Sequence, residues 1–182
     1  LSLCLKYKKM EEVQEVRRAT LKVVICGEAG VGKTSLVRRV INGEFFVRPS
    51  ETIGVDYNVW ETEVKHVPNL IVKLNIWDLS GQERFRSVVG THIKGANILL
   101  YVFDVSNAST LVALESWMKV AASEERQITC LVATKIDLSE EKRQVTSEAA
   151  LEYANAHGMR YCETSASTGE NVCDPFCSMV DY

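Results

Sequence analysis

Apolar residues in this chain alternate between short β-rich runs and longer stretches with helical spacing. "LKVVIC" (21–26) reads as a first strand and residues 33–41 as the helix that it feeds. "GVDYNVWETEV" (54–64) and "LIVKLNIWD" (70–78) read as two long strands of a hairpin, joined at "KHVPN" with Pro68-Asn69 as the turn signal. "NILLYVFDV" (97–105) is nearly continuous in apolar residues, as a strand buried on both faces requires. "TLVALESWMKVAA" (110–122) sets Leu111, Leu114, Trp117 and Met118 on one helical face. "QITCLVAT" (127–134) is a fifth strand, and "SEAALEYANAHG" (147–158) is a helix ended by Gly158. "MRYCET" (159–164) is a last short strand, and a final helix begins near Glu170. The alternation predicts an α/β fold: a six-stranded, mostly parallel sheet with one antiparallel strand and helices on both faces.

Residues 1–20 stand apart from this pattern. "KYKKMEEVQEVRR" is charged, with Tyr7, Met10, Val13 and Val16 near helical spacing, and is expected to be a partly helical extension before a domain at 21–182. The 182 residues suit one domain with its own core. A composition of 46 % hydrophobic and 25 % charged residues, with three prolines, excludes a disordered chain. The net charge of −3 gives no basic field for nucleic acid. No apolar run approaches the length of a membrane span, and the opening "LSLCLKYKKM" lacks the features of a signal peptide. Six cysteines without C-x-x-C spacing read as reduced, packed thiols, which fits a reducing cytosol.

Candidate chemistry begins at "GEAGVGKT", residues 27–34, between the first strand and its helix. Glycines at such a place let consecutive backbone N–H groups turn onto phosphate oxygens, helped by the helix N-terminus. Ala29, Gly30, Val31, Gly32, Lys33, Thr34 and Ser35 are the expected cradle; Lys33 reaches the β- and γ-phosphates and the Thr34 hydroxyl ligates Mg²⁺. In "IWDLSGQE", Asp78 can hold the Mg²⁺ shell from the opposite side. Gly81 leaves its N–H open to a γ-phosphate, and the Gln82 amide can position an attacking water. In "ATKID", the Asp137 carboxylate can accept from both N1–H and the 2-amino group of guanine, a donor pair that adenine lacks. The stem of Lys135 can cover the purine face. "CETSAS" adds Ser165 and the Ala166 N–H for the guanine carbonyl, at the strand ends where open α/β sheets bind ligands.

With these motifs assembled, the chain resembles the Ras superfamily of small GTPases and, within it, the Rab family. The likeness spans about residues 20 to 182 and rests on "IGVDY", "KLNIWD", "RFRSV", "KGA" and "VFDVS" in order. It implies that Thr52 ligates Mg²⁺ and senses the γ-phosphate, that Gln82 orients the hydrolytic water, and that Phe45 packs on guanine. Lys33, Thr52, Gly81 and Gln82 are thus the expected catalytic set, and Thr34, Thr52 and Asp78 the metal set. Leu79-Ser80 replace the usual Thr-Ala, which should leave the Gly81 backbone available, and three further departures bear on the site. Thr134 stands where asparagine is usual, Ser167 where a lysine often lies, and Ala29 puts a methyl group beside the γ-phosphate. Tyr57 and Trp77 match two of three aromatic positions that effectors read, while His92 stands at the third.

The resemblance implies a GTP/GDP switch in vesicle traffic whose turnover is slow without an activating protein. Exchange factors, activating proteins and effectors are expected at residues 45–60 and 79–95, on a monomer. The chain is expected in the cytoplasm and at the cytosolic face of an endomembrane, with membrane attachment only through a lipidated tail beyond Tyr182. Two rival readings remain at this point: a hydrolysis-poor, nucleotide-bound scaffold, and an ATP-using P-loop enzyme for which Asp137 is incidental.

Overall fold

Neighbouring residues of the central strands leave the sheet on opposite sides, and both sides are apolar. In a computed structural model, which describes residues 16–47, 52–81, 86–121 and 127–180, six strands form one sheet. They are β1 (Arg17–Cys26), β2 (Val55–Glu63), β3 (Leu70–Leu79), β4 (Ile98–Asp104), β5 (Ile128–Thr134) and β6 (Arg160–Glu163), in the order β2-β3-β1-β4-β5-β6. Only β2 runs antiparallel, paired with β3. The helices are α1 (Lys33–Asn42), α2 (Arg86–Ile93), α3 (Ala108–Val112), α4 (Leu114–Ala121), α5 (Ser147–Ala156) and α6 (Asp174–Val180).

On one face Val24, Cys26, Leu99, Tyr101, Phe103 and Leu131 pack with Ile93, Leu114, Trp117, Ala150 and Ala154 of α2, α4 and α5. On the other, Val23, Ile25, Leu100, Val102 and Val132 pack with Leu36, Val37, Phe176 and Met179 of α1 and α6. Burying a side chain of this size stabilises by about 1.5–3 kcal/mol, which is why strands apolar on both faces sit in the centre.

The observed elements depart from the sequence expectations in three places. β1 begins at Arg17, four residues early, because Arg17–Thr20 pair with Leu70–Lys73 of β3; the expected boundary after residue 20 falls inside a strand. The rest of the extension, residues 1–15, lies outside the described residues. The single helix over 110–122 is two, α3 and α4, separated at Ala113; α3 opens earlier, where Asn107 caps it by accepting from the Ser109 N–H. Its predicted face holds nonetheless: Leu114 and Trp117 are buried, and Leu111 and Met118 pack against them. The last helix starts at Asp174 rather than near Glu170, after turns that include a left-handed Asn171. The hairpin connection closes as expected: Asn69 is left-handed (φ 60) after Pro68, and the Leu70 N–H donates to the Val67 carbonyl at 3.3 Å.

Strand register gathers the motifs. Ile25 of β1 stands beside Asp78 of β3, and Asp104 of β4 beside Thr134 of β5. From β1 the sheet grows to β3 on one side and to β4 on the other. A crevice therefore opens at the carboxyl ends of the strands.

Candidate functional site

The loop after β1 must pass closely under β4, and its first residue shows how closely. A Cβ on Gly27 would lie 2.3 Å from the Val102 carbonyl oxygen, so only glycine fits. The loop then feeds α1, whose N-cap, Gly32, has no side chain to occupy the helix's first N–H groups. Those donors are left facing a cavity of about 400 Å³.

Lys33 projects into this end while being only 6 % exposed. Its ammonium donates to the Gly27 and Glu28 carbonyls, both at 2.8 Å. Burial pulls its pKa below the ordinary lysine value, opposed by the nearby Asp78 charge. Thr34 Oγ1 lies 2.5 Å from Asp78 Oδ2 and 2.7 Å from Thr52 Oγ1, so three oxygen ligands from α1, β3 and the segment before β2 meet at one point. Asp78 is fully buried, and its Oδ1 has no hydrogen-bond partner among the described residues. Burial pushes its pKa up to about 6, against the hydrogen bond from Thr34 and the charge of Lys33. Two hydroxyls and an orphaned carboxylate oxygen are the hard donor set that Mg²⁺ takes alongside phosphate oxygens. The residues fit the ion.

Gly81 has a further reason to be glycine. A Cβ there would lie 2.2 Å from the Ala29 nitrogen and 2.3 Å from the Glu28 carbonyl carbon. The backbone after β3 thus rests directly on the phosphate loop. Gln82 lies outside the described residues.

The other end is built from the loops after β5 and β6. Thr134 is buried, and its hydroxyl lies 2.6 Å from the Val31 carbonyl and 2.8 Å from that of Phe103, tying the phosphate loop to β4 and β5. Lys135 takes a left-handed backbone (φ 63) and pairs with Asp104 at 2.5 Å. Burial alone would raise Asp104, but hydrogen bonds from Lys135 and Ser106 outweigh it and hold the carboxyl below its ordinary range. Ser165 Oγ donates to Asp137 Oδ1 at 2.5 Å, orienting that carboxylate.

Of the predicted residues, Ala29, Gly30, Gly32, Lys33, Thr34, Ser35, Phe45, Thr52, Gly81, Thr134, Lys135, Asp137, Ala166 and Ser167 line the cavity. Val31, Asp78 and Ser165 stand behind its wall: Val31 is buried in the core, and the other two act through Thr34 and Asp137. Sequence reasoning missed Leu36, Phe46, Val47, Leu79, Ser80, Leu138 and Thr164 in the lining, and the Asp104 partner of Lys135. Asp104 had a readable signal, a carboxylate closing an apolar strand. On the outer surface Tyr57, Trp77 and His92 do form one cluster, with ring centroids 5.1 Å and 5.4 Å apart in sequence.

The family described as Ras family matches residues 22–182. Human Ras-related protein Rab-30 is 40 % identical over 153 residues, covering 83 % of this chain and 73 % of its own length. Ras-related protein Rab-18 of Caenorhabditis briggsae is 37 % identical over 165 residues, with 89 % and 79 % covered. The Ypt/Rab-type GTPase ypt7 of Schizosaccharomyces pombe is 36 % identical over 167 residues, with 88 % and 80 % covered. With a six-stranded sheet that has one antiparallel strand and a phosphate loop after β1, this chain belongs to the Ras family, and within it to the Rab type of small GTPase.

Proposed function

We propose that this GTPase of membrane traffic works as a GDP/GTP switch, with Mg²⁺ held by Thr34, Thr52 and Asp78 and guanine read by Asp137. The observation that carries the reading is the position of Thr34 Oγ1, 2.7 Å from Thr52 Oγ1 and 2.5 Å from Asp78 Oδ2, beside the buried Lys33 amine. Bound Mg²⁺ would supply charge neutralisation at the phosphate oxygens.

The chain's own residues supply the remainder. The Lys33 ammonium, poised on two carbonyls, donates to the β- and γ-phosphates, and the N–H groups of the loop and of the start of α1 cradle their oxygens. Gly81 offers its N–H to the γ-phosphate, and Gln82 orients the attacking water. Thr52 precedes β2 and Gly81 follows β3, so GTP tethers both segments and hydrolysis releases them. Asp137, oriented by Ser165, accepts from the guanine edge; Lys135, Phe45 and the Ala166 N–H complete the base site. Among the described residues no arginine lines the cavity, which supports slow turnover until an activating protein contributes one, an effect of about 10³–10⁵ in such enzymes. Exchange factors, activating proteins and effectors would use residues 45–60 and 79–95 of the monomer, which include Tyr57 and His92 on either side of the Trp77 ring, at the cytosolic face of an endomembrane. Among the described residues no helix is long and apolar enough to cross a membrane.

Fluorescent GDP and ADP binding and single-turnover GTP hydrolysis test this together. Tight GDP binding, no ADP binding and slow turnover are expected. Asp137→Asn should weaken guanine binding by roughly 3 kcal/mol, about a hundredfold. Nucleotide binding without any turnover, even with an activating protein, would instead identify a scaffold.

A further inference from the structure

Glu28 places a negative charge in the phosphate loop, close enough to act on the buried Lys33 ammonium. The structure gives its side chain a partner on a different layer of the fold. Trp117 of α4, only 1 % exposed, donates its indole N–H to Glu28 Oε1 at 2.9 Å. The rest of that indole lies in the core against the sheet, with Leu114 on the same helix. The carboxylate is therefore anchored on α4.

The backbone of the same residue does two jobs in the site. Its carbonyl accepts from the Lys33 ammonium at 2.8 Å. Its carbonyl carbon and oxygen are, with the Ala29 nitrogen, what a Cβ on Gly81 would strike, at 2.3 Å and 2.5 Å. A shift of Glu28 thus moves both the seat of Lys33 and the surface on which Gly81 rests. The helix that anchors it is itself a neighbour of α2: a Cβ on Gly90 would touch Val120 at 3.7 Å.

We propose that Glu28 is a positioning residue for GTP hydrolysis, held by the Trp117 indole so that its backbone fixes Lys33 and Gly81 against the phosphates. The contact couples α4, and through it α2, to the reacting end of the cavity. This rests on the GTPase reading above, and wild-type GDP binding and GTP turnover measured alongside test that reading separately.

The experiment is a double-mutant cycle read by single-turnover hydrolysis and GDP release. Glu28→Ala should slow hydrolysis and speed GDP release by about tenfold, the scale expected for losing a hydrogen bond to a charged acceptor. Glu28→Gln keeps an acceptor oxygen for the indole and should stay within about threefold of wild type. Trp117→Phe should reproduce the Glu28→Ala defect, and the double variant should be no more than about twofold worse than either single one. Trp117 is a core residue, so a second version replaces it with benzothienylalanine, which keeps the bicyclic shape and lacks the N–H. That protein should keep a cooperative thermal transition, because the core shape is preserved, and still show the tenfold kinetic loss. Multiplicative effects in the cycle, or full activity in the benzothienylalanine protein, would overturn the proposal. So would a Glu28→Gln defect as large as that of Glu28→Ala.

Discussion

At the phosphate-loop end of the cavity, charged groups are buried with incomplete partners; at the base end, they are already paired. Lys33 rests on two neutral carbonyls, and among the described residues Asp78 keeps one oxygen without a hydrogen bond. By contrast Lys135 is paired with Asp104, Asp137 accepts from Ser165, and the Thr134 hydroxyl lies within 2.8 Å of two carbonyls. A desolvated charge without full compensation is costly. The first end is thus a reservoir that ligand and cation relieve, while the second is a preformed template. In the proposed switch this division would let the prepaired end read the base and the end whose charges need the ligand sense the nucleotide state.

The largest test of that contrast is Lys33→Met. It should weaken GTP binding by roughly 4 kcal/mol, about a thousandfold, since charge-assisted bonds to phosphate are lost. The same change should raise the melting temperature of the nucleotide-free protein, because a buried ammonium is removed. A lower melting temperature would mean that this end is as well compensated as the other.

Next in size is the acid behaviour of Asp78 without nucleotide or cation. Its folded pKa of about 6 lies above the ordinary 3.8, so the folded state holds the proton more tightly than the unfolded one. Stability should therefore fall as pH rises from about 4 to about 6, by roughly 3 kcal/mol in total. Asp78→Asn should abolish that component, and chemical denaturation at several pH values measures it. The smallest effect is at the template end: Ser165→Ala removes one neutral donor from Asp137 and should cost about 1 kcal/mol of guanine affinity, near fivefold. A change as large as that of Lys33→Met would erase the distinction.

Much of this was legible in the chain itself. The central strands declared themselves by unbroken apolar runs, because burial on both faces leaves no polar positions to interrupt them. The phosphate loop and "ATKID" were legible because their chemistry needs particular residue types at short spacing. Legibility failed where the partner is remote in sequence. β1 extends back to Arg17 only because β3 offers it a register, and charged residues there gave no strand signal. The break at Ala113 divides a helical pattern whose spacing is continuous, so periodicity could not reveal it. Gly81 was read as leaving its N–H open to a γ-phosphate; what the structure adds is that the phosphate loop's own backbone lies against it.

By itself, then, the sequence determined the fold class, the family and the residue types proposed to meet phosphate, cation and guanine, because local spacing encodes backbone direction and chemical need. Tertiary structure alone decided which of those groups are satisfied: the union of Thr34 with Asp78 across 44 positions, of Lys135 with Asp104 across 31, and of Glu28 with Trp117 across 89. Such pairings follow from strand order and register, which place distant residues at one edge of the sheet, and no window of sequence contains them.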